Sequence, residues 1–94
     1  MLKHIVFFKT DSSQLTEELA DILLSMKGNI DELKYIEVGI DINRSERAFD
    51  LVLITEFDDL DGLNSYSIHP YHTNITKWVR ENGIISKVVD YTRS

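Results

Sequence analysis

The chain has 94 residues, enough for one small domain near the lower limit for a self-sufficient core. Its 43% hydrophobic and 28% charged residues suit a globular fold, and no apolar run is long enough to cross a bilayer. Sixteen acidic residues against ten Lys and Arg give a net charge of −6, which argues against a nucleic-acid surface, and zero cysteines exclude disulfides, thiolate catalysis and cysteine-bound metal. The excess acid reads as solubility. The opening apolar stretch, ended by Lys9, is too short for a signal peptide, so a cytoplasmic location is expected.

Residues 2–9 alternate, with Leu2, His4, Val6 and Phe8 on one face and Lys3, Ile5, Phe7 and Lys9 on the other. Their β-branched and aromatic content makes this a strand. Asp11-Ser12-Ser13 can cap a helix, with Thr16 as a later cap candidate. Leu15, Leu19, Ile22, Leu23 and Met26 then form one apolar helical stripe, stopped near Gly28-Asn29. Residues 34–42 alternate again, placing Ile36, Val38, Ile40 and Ile42 on one side. Asn43-Arg44-Ser45-Glu46 reads as a hairpin turn or loop, and residues 48–57 as a strand that is apolar on both faces. Asp58-Asp59-Leu60-Asp61 suits a helix start, where carboxylates complement the dipole. Pro70 must interrupt or restart that helix, because it lacks an N–H and disfavours α geometry at His69. Ile75, Trp78 and Val79 carry the stripe on to Asn82-Gly83, and residues 84–92 close the chain as a strand.

The order is βαββαβ, an α+β ferredoxin-like protomer with a four-stranded antiparallel sheet and helices on one face. No linker or repeat divides it, so residues 1–94 form one domain. Strands one and three are apolar on both faces, and helices can cover only one. A bare apolar face of that size marks an interface. Two such sheets packed face to face give a homodimer that encloses a barrel-like cavity.

Four ordered motifs, Lys3-His4-Ile5-Val6, Ile36-Glu37-Val38-Gly39, the run Tyr66 to His72, and Val89-Asp90-Tyr91, resemble the stress-responsive dimeric α/β-barrel (Dabb) family. The likeness covers essentially the whole chain. It implies a homodimer of ferredoxin-like protomers forming an eight-stranded barrel. One member, the plant olivetolic acid cyclase, closes a linear polyketide by aldol condensation without a cofactor. Its acid–base histidine matches His72, its pocket tyrosine Tyr66, its first-strand histidine His4, and its aspartate before the C-terminal tyrosine Asp90. A further pocket histidine of the cyclase corresponds to Leu51, an apolar replacement that argues against the same substrate.

The run Tyr66-Ser67-Ile68-His69-Pro70-Tyr71-His72 holds two of the three histidines, the only proline and two of the four tyrosines. An imidazole titrates near ~6.5, so His72 is the candidate acid–base group. Asp90 is the candidate to orient it, and Tyr66 to donate to a developing enolate. The competing reading makes His72–Asp90 a structural link between helix and sheet. His69 and Pro70 read as structural, shaping the kink, with Pro70 at the first helical position. His4, Val6, Phe8 and Leu51 are the candidate ligand-pocket residues. If their face lines the barrel, His4 enters the cavity; if it meets the helices, His4 is a core histidine. His69-x-x-His72 with His4 is a weak metal signature, so neither metal nor cofactor is expected. Arg47-Ala48-Phe49-Asp50 lacks the glycine of an RNA-recognition strand. The expected function is binding of an apolar or aromatic small molecule, with cofactor-independent proton transfer or aldol-type cyclisation. The alternatives are a non-enzymatic stress protein and a cofactor-free monooxygenase.

Overall fold

A computed structural model of the protein describes residues 1–93. Its elements run β1 (Leu2–Lys9), α1 (Ser13–Leu24), β2 (Tyr35–Ile40), β3 (Leu51–Phe57), α2 (Leu60–Ile68), α3 (Pro70–Glu81) and β4 (Ile85–Thr92). The four strands form one antiparallel sheet in the order β2-β3-β1-β4, the ferredoxin-like arrangement. Alternation sorts the strands into two faces. Leu2, Val6 and Phe8 of β1 and Leu51, Leu53, Thr55 and Phe57 of β3 are buried beneath the helices.

Ser12 caps α1, its hydroxyl accepting the Leu15 N–H at 3.1 Å. Thr16, the alternative cap, lies inside the helix and returns its hydroxyl to the Ser12 carbonyl at 3.0 Å. Leu19, Leu23 and Met26 face the sheet and join the core. Asp59 caps α2 through Gly62 N–H at 2.9 Å. The expected break falls at His69, so the second helical segment becomes two helices, α2 and α3.

Two strands are shorter than their sequence patterns. β2 stops at Ile40, and Ile42 is 94% exposed beyond it. Residues 41–50 form a loop. Arg44, at φ 53°, turns that loop, and its guanidinium meets Asp50 at 2.6 Å. Buried Asp50 also accepts the Thr10 N–H at 2.7 Å, fastening the loop to the β1–α1 junction. The Thr10 amide, then the arginine, hold the Asp50 carboxyl below its ordinary pKa.

The other face of the sheet carries Ile5 and Phe7 of β1, Val52 and Ile54 of β3, and Val89 and Tyr91 of β4. Among the described residues no helix covers it; Phe7, Val89 and Tyr91 stand exposed. β4 is an edge strand, and every one of its residues is exposed, including those on the helix side.

Candidate functional site

Strand register builds one wall of the site. In the β1–β4 ladder His4 lies opposite Asp90, Val6 opposite Val88 and Phe8 opposite Ser86. In the β1–β3 ladder His4 lies opposite Thr55, and Val6 opposite Leu53. Directly opposed residues share a face, so His4 and Asp90 meet as a cross-strand pair. His4 Nδ1 is hydrogen-bonded to Asp90 Oδ1. A carboxylate only accepts, so Nδ1 carries the proton and Asp90 orients the ring.

The helix break builds the other wall. Pro70 offers no N–H, so the Tyr66 carbonyl takes the His69 N–H at 3.1 Å instead. His69 is at once the C-cap of α2 and the N-cap of α3, its Nδ1 accepting the Tyr71 N–H at 3.1 Å. That amide is therefore withdrawn from Ser67, its partner in an unbroken helix. His72 Nδ1 lies 3.1 Å from the freed Ser67 carbonyl oxygen. The carbonyl can only accept, which assigns the proton to Nδ1 and leaves Nε2 of the neutral ring as the basic atom. Burial holds the His72 pKa below its ordinary value; the Ser67 carbonyl opposes that shift, and His4 and His69 add to it.

Tyr66 joins the two walls. Its ring, 1% exposed, lies 4.2 Å from the His72 ring centroid and 5.9 Å from that of His4. Phe57 backs it at 4.8 Å. The Tyr66 hydroxyl donates to Met26 Sδ at 3.7 Å, a weak acceptor, and burial pushes its pKa up.

His4, Tyr66, His72 and Asp90 line a cavity of about 350 Å³ between the sheet and α3, open along β4. Val6, Leu53, Ile75 and Val79 supply apolar surface, and Thr76, Arg80 and Ser86 lie at its α3–β4 side.

Several expectations are corrected by this geometry. Of the two sides left open for His4, Val6 and Phe8, their face is the one that meets the helices, and it lines the cavity between sheet and α3. Leu51 is core, opposite Phe8, and lies off the cavity; Leu53 takes the wall position. Asp90 orients His4 rather than His72, because register places it across from His4. The Tyr66 hydroxyl, expected to face a carbonyl, is engaged with Met26. None of Met26, Ser67 and Arg80 was expected from sequence to be a site residue. The proline was the available signal for Ser67, since a missing N–H three residues after an α-helical serine disturbs the carbonyls around it. Among the described residues no three His, Asp or Glu side chains gather to hold a metal, and no helix is long and apolar enough to cross a membrane.

Residues 2–93 match the Stress responsive A/B Barrel Domain, Dabb. The chain belongs to the Dabb family. This Dabb chain is 30% identical, over 77 residues, to an uncharacterised protein of Streptomyces coelicolor, covering 77% of the chain and 79% of that relative. A dimeric protein of unknown function with a ferredoxin-like fold, from Bacteroides fragilis, is 28% identical with a TM-score of 0.84, over 98% of this chain and 95% of that one. The hydroxynitrile lyase of Passiflora edulis shares the Dabb chain's fold at 16% identity and a TM-score of 0.78, over 99% and 94% of the two chains.

Proposed function

We propose that the protein is a homodimer whose sheet–helix cavity binds an apolar or aromatic carbonyl compound and moves protons on it without a cofactor. The observation that carries this reading is the grouping of His4, Tyr66 and His72 on one cavity. His72 is the base: neutral, partly desolvated, with its tautomer set by Ser67. Its Nε2 removes a proton from carbon next to a carbonyl, leaving an enolate and an imidazolium. Reprotonation of the enolate from His72, or its attack on a second carbonyl of the same molecule followed by proton return, regenerates the neutral ring. His4, with its Nδ1 proton given to Asp90, presents its unprotonated Nε2 as a second acceptor that can take a proton from a substrate hydroxyl. Tyr66 holds the two imidazoles apart and excludes water from between them.

The exposed apolar sheet face supports dimerisation, as does the description of the Bacteroides fragilis relative as dimeric. The test begins with mass spectrometry of small molecules carried by the protein isolated from its own host. That molecule is then incubated with protein in deuterated water, and deuterium should enter beside its carbonyl. Equal incorporation by His72→Gln, or no incorporation above the uncatalysed rate, refutes the acid–base role.

A further inference from the structure

Among the described residues, one cation on this cavity has no carboxylate partner. Among the described residues no carboxylate lies within salt-bridge distance of Arg80, whereas Arg44 contacts both Asp41 and Asp50. Arg80 nonetheless lines the same cavity as His72. The two are joined by a single helical stripe, since 72, 76 and 80 recur at intervals of four residues on α3. Across the cavity, Ser86 and Asp90 occupy the same face of β4, four residues apart. Helix rise separates His72 from Arg80 by about 12 Å, and strand rise separates Ser86 from Asp90 by about 13 Å. The cavity is therefore an oblong lane with two unlike ends. His72, His4 and Asp90 occupy one; Arg80 and Ser86 occupy the other; Val6, Val79 and Val88 lie between them.

We propose that Arg80 and Ser86 bind the carboxylate of the substrate, which makes the ligand an apolar or aromatic acid whose reacting carbon lies at the far end of the lane. This deepens the proposed function and rests on it. A guanidinium matches a carboxylate with two parallel N–H donors, and the Ser86 hydroxyl adds a third donor. Thr76, midway, is not a donor to this group, because its hydroxyl is given to the Thr73 carbonyl at 2.9 Å. A single carboxylate also fits the charge available: one cation, on a protein of net charge −6, leaves a phosphate dianion under-neutralised. Arg80 has an ordinary structural reason to exist as well, since a cation in the last turn of α3 complements the helix dipole. That role does not distinguish an acid from its neutral analogue.

The experiment uses phenylbutyrate and phenylbutyramide, which share size and ring and differ in charge, titrated into the full chain and followed by amide NMR. The unchanged protein should bind the acid more tightly than the amide, with shifts reaching both His72 and Ser86. Arg80→Gln should weaken the acid about tenfold while leaving the amide within about twofold, and Arg80→Lys should recover part of the loss. Equal weakening of acid and amide, or no change for either, overturns the carboxylate assignment while the apolar site stands. Binding of neither compound to the unchanged protein removes the proposed function, and this inference with it.

Discussion

The Tyr66 hydroxyl offers a sharp test of how the site is assembled, because its only partner among the described residues is the Met26 sulfur at 3.7 Å. Both side chains are fully buried, at 1% and 0% exposure. Tyr66→Phe removes a hydroxyl that gains little from a thioether, so it should cost only about 0–1 kcal/mol. Met26→Leu is near volume-conserving and costs up to about 1.5 kcal/mol in packing. It also strands the phenol without an acceptor, which adds about 1–3 kcal/mol. In the Tyr66→Phe background that second cost vanishes, so the two substitutions should couple by about 1 kcal/mol or more. The assay is urea unfolding followed by the fluorescence of Trp78, the sole tryptophan, at one fixed protomer concentration. Additivity to within about 0.5 kcal/mol would refute the reasoning. It would mean that the hydroxyl is satisfied from the cavity and is available to a substrate carbonyl after all.

Stability should also depend on pH through His72. Its folded-state pKa lies below the ordinary value, so the unfolded chain takes the proton first. The contribution is level above about pH 6.5, and stability falls as pH drops through that value towards the lower folded-state pKa. Thermal midpoints should show this slope, and His72→Gln should flatten it; an unchanged slope in the variant rejects the assignment. Asp50→Asn should cost about 1.5–3 kcal/mol in urea unfolding, because a buried charge-assisted contact to the Thr10 amide is lost. Arg44→Gln should cost less than about 1 kcal/mol, since that side chain is 58% exposed; the reverse ranking would move the anchor from Thr10 to the arginine. Phe7→Glu, on the uncovered sheet face, should shift the sedimenting species from dimer to monomer at micromolar concentration, and a persistent dimer would place the interface elsewhere.

The fold was legible wherever local pattern and local hydrogen bonding coincide. β1 spans the residues its alternation marks, 2–9, and Pro70 breaks the helix where its missing N–H requires. Patterns overran where pairing stops for other reasons. Ile42 continues the alternation of β2, but the Asp41 amide bonds Asp50 at 2.9 Å and the chain then turns away from β3. Residues 48–50 read as strand, yet the Arg44–Asp50 contact and the Ala48 amide bond to Ser45 keep them in the loop. His4, Tyr66 and His72 were legible as candidates because the chain holds only three histidines and four tyrosines. Their partnerships were not. Whether Asp90 meets His4 or His72 depends on which β4 residue lies opposite residue 4, and that register joins positions 86 apart in sequence. Arg80 escaped notice because an arginine near a helix end has a sufficient local explanation.

The break at His69 governs more than the direction of a helix. Six residues along a continuous α-helix turn through about 600° and rise about 9 Å, which would put residues 66 and 72 on different faces, far from ring contact. Here a single extended residue, His69 at φ −63° and ψ 133°, brings those rings to 4.2 Å. The spacing of the candidate base from its aromatic neighbour is thus set by one backbone torsion. An inserted or deleted residue between Tyr66 and His72 would leave the sheet, its exposed apolar face and most of the core untouched while dismantling the site. Relatives could therefore lose or redesign this chemistry by changing a single linkage, with the rest of the domain folding as before.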